Sequence, residues 1–128
     1  MKKYVLALAM SFAFVGALAG YAAAAGDAGK GEGLFTGKGQ CKNCHKLDEK
    51  AQVGPGLKGV TTRHADAWLT TWLGDPQKTW EGNDADVQKL KTWKPGRDKA
   101  PKTAMKIPHL DDAEIADLIA FLHKNDGK

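Results

Sequence analysis

Both cysteines of the 128-residue chain fall within one short stretch, Cys41-Lys42-Asn43-Cys44-His45. Two thiols three positions apart with a histidine directly after them suit three chemistries: a redox disulfide, half of a zinc site, or covalent attachment of a haem. A zinc site needs two further Cys or His ligands at suitable spacing. There is no third cysteine, and His64, His109 and His123 are scattered along the chain. A thioredoxin-like pair wants a βαβ setting and gives His45 no task. Cysteines at i and i+3 present both sulfurs on one side of a single turn, so both can reach the two vinyl groups on one porphyrin edge. A histidine next to the second attachment point is then held beneath the iron, which makes sense of all three residues at once.

The opposite face of such an iron takes a second ligand or stays open. Met105 is the one methionine beyond Met1 and Met10. A lone methionine is often core filler, but the run Lys102-Thr103-Ala104-Met105-Lys106-Ile107-Pro108 is a polar loop rather than an apolar helix face. That setting makes Met105 the candidate second ligand. Two alternatives stay open: His64 or His109 in a bis-histidine site, or an open position.

These residues need elements to hold them. The N-terminus has Lys2 and Lys3, an apolar run from about Tyr4 to Ala19, and small residues offering Ala-x-Ala at Ala23 and Ala25. This pattern predicts a secretory signal peptide over 1–25, cut between Ala25 and Gly26, since the run is short of the roughly 20 apolar residues of a membrane span. The mature chain, 26–128, is then one domain without stable membrane insertion. Cleavage removes two lysines and no acid, so the formal charge of +4 falls to +2. A nearly balanced exported chain does not suggest nucleic acid.

Past residue 26 the periodicity is helical throughout, and an all-α fold is expected. Residues 27–36 read as a short helix with Asp27 as N-cap, and 65–73 as a second, closed by Gly74 and Pro76. A third covers 84–93 with Asn83 as cap. The strongest covers 111–124, where Asp111 and Glu114 form a capping box and Ile115, Leu118, Ile119 and Leu122 share a face. Long polar loops rich in Gly and Pro, 46–62 and 94–110, lie between them. A chain of this size has little core of its own, so a bound group must supply part of it.

Taken together, these features resemble the small class I monohaem c-type cytochromes over essentially the whole mature chain. Cys41, Cys44 and His45 match the attachment motif. Gly54-Pro55-Gly56-Leu57 resembles the loop in which a proline carbonyl accepts a hydrogen bond from the ligand histidine, and Met105 with its proline loop and final helix resembles the methionine-ligand segment. Gly31 and Phe35 look like the pair by which the first helix crosses the last near Phe121 and Leu122. Two features depart from the pattern. The Gly-rich insert Thr36-Gly37-Lys38-Gly39-Gln40 is expected to loosen the turn before Cys41. The segment 63–103 carries Trp68, Trp72, Trp80 and Trp93, one of which is a candidate donor to a haem propionate.

The resemblance implies about three to five helices and long loops wrapped around one haem c, bound through Cys41 and Cys44. It implies axial ligands His45 and Met105, with Pro55 supporting His45. A His/Met pair saturates the iron, which favours a monomeric single-electron carrier of the bacterial periplasm over an enzyme. The competing class is a haem-based sensor or peroxidase-like enzyme with a labile or absent sixth ligand. Lys42, Lys46, Arg97, Lys99, Lys102 and Lys106 are either solvated or a basic rim that steers the carrier to acidic redox partners.

Overall fold

The computed structural model of the protein describes residues 25–128. The expected signal peptide lies outside these residues except for Ala25. Among the described residues every regular element is helical: α1 (Ala28–Thr36), a 3₁₀ turn (Cys41–Asn43), α2 (Val60–Arg63), α3 (Asp66–Gly74), α4 (Pro76–Gly82), α5 (Ala85–Thr92) and α6 (Asp112–Asn125). With α2 a single turn, five longer helices and long loops make the all-α architecture.

The terminal helices form the frame. Asp27 caps α1, its Oδ1 accepting from the amides of Gly29 at 2.8 Å and Lys30 at 3.0 Å. The Lys30 and Gly29 amides lower the Asp27 pKa, the sign expected of a carboxylate at a helix N-terminus. α6 opens with the expected capping box between Asp111 and Glu114. The helices cross at Gly31, where a Cβ would meet Asp117 O and stand 2.7 Å from Phe121 Cβ, so only glycine permits this approach. Beside the crossing, the Phe35 and Phe121 rings lie 5.5 Å apart at 50°. Lys38 reaches Glu114 Oε1 at 2.6 Å, and the Asp27 amide donates to Asp117 Oδ1 at 2.6 Å.

Three local expectations need correction. Pro76 does not only close α3; it opens α4 at its first position, where a missing N–H costs nothing, with Asp75 Oδ1 accepting from Lys78 N at 2.9 Å. Asn83 does not cap α5. It ends α4 in the left-handed conformation (φ 52°), and Asp84 is the cap, accepting from Val87 N at 2.8 Å. The glycine-rich insert before Cys41 is not loose either. Gly37 N donates to Gly33 O at 2.9 Å, Gly39 N to Leu34 O at 2.8 Å, and Gln40 N to Gly37 O at 3.0 Å.

Leu69, Trp72 and Leu73 of α3 and Ile115, Leu118, Ile119 and Leu122 of α6 are buried with Trp80, Val87 and Leu110 in one apolar cluster. This core is larger than the sequence suggests, because Trp72 and Trp80 join it and Trp68 packs against it. Behind it, Asp126 ties the end of α6 to the start of α2. It accepts from Gly59 N at 2.6 Å and from Thr61 N and Oγ1 at 2.9 and 2.8 Å. Burial works to raise the Asp126 pKa, but the Thr61 and Gly59 hydrogen bonds and the Lys58 charge together leave it lowered.

Candidate metal centre

The attachment motif sits on the 3₁₀ turn. Cys44 N and His45 N both donate to Cys41 O, at 3.1 and 2.9 Å, so Cys41, Cys44 and His45 are held on one compact turn. The two cysteines are not joined in a disulfide; Cys41 is buried and Cys44 exposed. Burial pushes the Cys41 thiol pKa up, the opposite of an activated redox thiolate. Among the described residues no group of three or more His, Cys, Asp or Glu converges on a metal position, so the zinc reading finds no further ligands.

The loop after the turn wraps His45. Gly54 N donates to Cys44 O at 2.8 Å and Leu57 N to Lys46 O at 2.9 Å, folding 46–57 back on the motif. His45 Nδ1 lies 2.8 Å from Pro55 O. Since a carbonyl only accepts, Nδ1 carries the proton and Nε2 keeps its lone pair for a metal. Gly54 lies flat on the ring: a Cβ there would stand 2.8 Å from Nδ1 and 2.9 Å from Nε2. Arg63 stiffens the same loop from below, donating to Gly56 O at 3.0 Å and to Lys58 O.

Met105 belongs to a second assembly. Its sulfur accepts the indole N–H of Trp72 at 3.0 Å, and its amide donates to Thr103 Oγ1 at 3.2 Å. The loop around it is pinned to α4, with Trp80 Nε1 donating to Ala100 O at 3.0 Å and Thr103 N to Gln77 Oε1 at 3.1 Å. Sequence reasoning named Trp72 only as one of four candidate propionate donors, and gave Thr103 and Gln77 no role. The only local signal was the α3 periodicity, which marks Trp72 as core. None of these recorded hydrogen bonds joins the His45 assembly to the Met105 assembly.

The other histidines are otherwise employed. The His64 ring is buried and stacked on Trp68, 4.4 Å between centroids, with Nδ1 3.3 Å from Asp86 Oδ1 but not aligned as a hydrogen bond. Burial lowers the His64 pKa, against the opposing pull of Asp86. His123 is bonded through Nε2 to Asp66 Oδ1 at 2.8 Å at the start of α3. His109 is exposed.

The family model for cytochrome c matches residues 28–126. The chain belongs to the cytochrome c family. Cytochrome c-554 of Methylosinus trichosporium is 34% identical over 133 residues, covering 97% of this chain and 95% of the relative. Among solved structures, cytochrome c from Rhodothermus marinus superposes with a TM-score of 0.61 at 23% identity, covering 78% of this chain and 77% of that one. An engineered form of that cytochrome gives 0.62 at 21% identity, covering 79% and 78%. These structures bear on the fold, which is that of cytochrome c. The cofactor of this cytochrome is haem c, bound through Cys41 and Cys44, and its chemistry is haem-based electron transfer. The residues fit that group: the motif turn, the glycine laid against the His45 ring and the engaged Nδ1 leave one imidazole nitrogen available for iron.

Proposed function

We propose that this cytochrome is a single-electron carrier of the bacterial periplasm with His45 and Met105 as axial ligands. The observation that supports the reading is the His45 Nδ1 contact with Pro55 O at 2.8 Å, which fits a proton on Nδ1 and leaves Nε2 free to coordinate. When bound, the haem supplies a reversible one-electron change between Fe(III) and Fe(II). Pro55 orients the imidazole and increases its donor strength. Met105 offers a soft, weakly donating thioether that favours Fe(II) and raises the potential. Held by both His45 and Met105, the iron would have no open position for substrate or O₂, as a carrier rather than a sensor or peroxidase requires.

Export rests on the signal pattern of 1–25. No helix among the described residues is long and apolar enough to cross a membrane. Three of the four tryptophans have their N–H engaged: Trp68 by Asp84 Oδ2 at 2.9 Å, Trp72 by Met105 and Trp80 by Ala100. Trp93 lines a shallow cleft with Pro55, Gly56 and Arg63, and we assign it as the propionate donor. In the proposed rim, Lys42, Lys46, Lys99, Lys102 and Lys106 are exposed, whereas the Arg97 guanidinium lies 5.3 Å over the Trp80 ring. The rim would dock acidic redox partners. Addition of carbon monoxide to the reduced holoprotein tests the function: an unchanged visible spectrum at neutral pH supports the carrier, and ready binding supports the sensor or enzyme.

A further inference from the structure

The Trp72 indole is buried, and its one recorded hydrogen bond goes to an unusual acceptor, the Met105 sulfur, 33 positions away in the chain. Sulfur is a weak acceptor, so a buried indole N–H aimed at it at 3.0 Å must be held there by its surroundings. The surroundings do so. Trp72 stacks on Trp68 with centroids 5.3 Å apart and planes 12° from parallel, and Trp68 stacks in turn on His64. Trp68 is fixed by its own N–H bond to Asp84 at the head of α5. Three rings from α3 and the end of α2 thus form a column whose last N–H points at the one methionine of the described chain.

We propose that Trp72 is a positioning and tuning residue for Met105. The inference rests on Met105 being an iron ligand. A thioether sulfur has two lone pairs; the indole N–H takes one and leaves the other for the metal. Donation from the indole draws electron density from the sulfur, making it a poorer donor to Fe(III) than to the less demanding Fe(II), and so raises the potential. It also holds the sulfur against rotation out of the site, slowing its displacement by an external ligand.

Trp72→Phe in the full-length holoprotein keeps an aromatic ring in the column and removes only the N–H. The expected result is a lower midpoint potential and easier displacement of the sulfur by imidazole in the ferric protein. A neutral hydrogen bond of ordinary strength corresponds to at most about tenfold in such equilibria, or about 59 mV for a one-electron couple, and a bond to the weaker sulfur acceptor should fall below that ceiling. Trp68→Phe, which disturbs the stack but spares the Trp72 N–H, should lower thermal stability with a smaller change in potential. A purely structural Trp72 would give a lower Tm with unchanged potential and unchanged imidazole affinity, which overturns the proposal. Met105→Ala separates the two readings. If it leaves spectrum and potential untouched, the ligand assignment fails; if it opens the site while Trp72→Phe is silent, the tuning role fails by itself. Should Trp72→Phe not fold, reduced wild-type holoprotein labelled with ¹⁵N-tryptophan decides the matter. A Trp72 indole proton protected from exchange, with a nuclear Overhauser contact to the Met105 methyl, supports the proposal. Exchange as fast as that of Trp93, or no such contact, overturns it.

Discussion

His45 is fixed by backbone on two sides, and each side constrains the chain differently. Pro55 supplies a carbonyl from a rigid turn, while Gly54 supplies the absence of a side chain. Gly54→Ala therefore drives a methyl into the imidazole. The substitution should cost about 1–3 kcal/mol, the usual range for forced overpacking, read as a lower thermal midpoint of the holoprotein, with the His45 ring turned from Pro55. An unchanged midpoint would mean that loop 46–57 yields without loss. Cys41, Cys44, His45 and Met105 were legible as candidates from residue type and spacing, and Pro55 from the family resemblance. Trp72 was not, because its partner is 33 positions away and a helical repeat records only which face is buried.

At the scale of elements, short-range chemistry decided what could be read. α1 and α6 were legible because caps and periodicity lie within one turn of each other, while their crossing at Gly31 and Phe35 was read from the family resemblance. The boundary of α3, α4 and α5 was obscured because Pro76 suits both a helix end and a helix start, and because Asn83 and Asp84 are both good caps. The His64 column joining α2, α3 and α5 carries a pH dependence. Burial lowers the pKa of His64 in the folded protein, so the unfolded chain binds more protons between the folded value and the ordinary one, about 6.5. Stability from keeping this ring neutral is present above that ordinary value and declines as pH falls below it, the loss being complete below the folded pKa. Denaturant midpoints measured at descending pH should fall more steeply for wild type than for His64→Gln. Parallel curves would show that protonation of His64 carries no such penalty.

For the whole molecule, the helical frame and its aromatic core hold two loop assemblies, one around His45 and one around Met105, which in the proposed reading the haem would join. The frame uses glycine at the α1–α6 crossing and Trp68, Trp72 and Trp80 as core, which leaves the loops to carry the chemistry. If the exposed lysines steer partners, second-order electron transfer with an acidic redox protein should slow steeply with salt, because the Debye length falls from about 10 Å at 0.1 M to about 3 Å at 1 M. Salt-independent rates would remove the rim while leaving the carrier standing.

The central claim is that Met105 completes the iron coordination, and an optical redox titration of wild type and Met105→Ala side by side tests it most directly. Wild type should be low-spin in both oxidation states with one reversible one-electron transition. Met105→Ala should lose the low-spin spectrum, bind carbon monoxide when reduced, and shift to a lower potential. Spectra and midpoint potentials that coincide for the two proteins would place another group, or none, opposite His45 and contradict the carrier as drawn here.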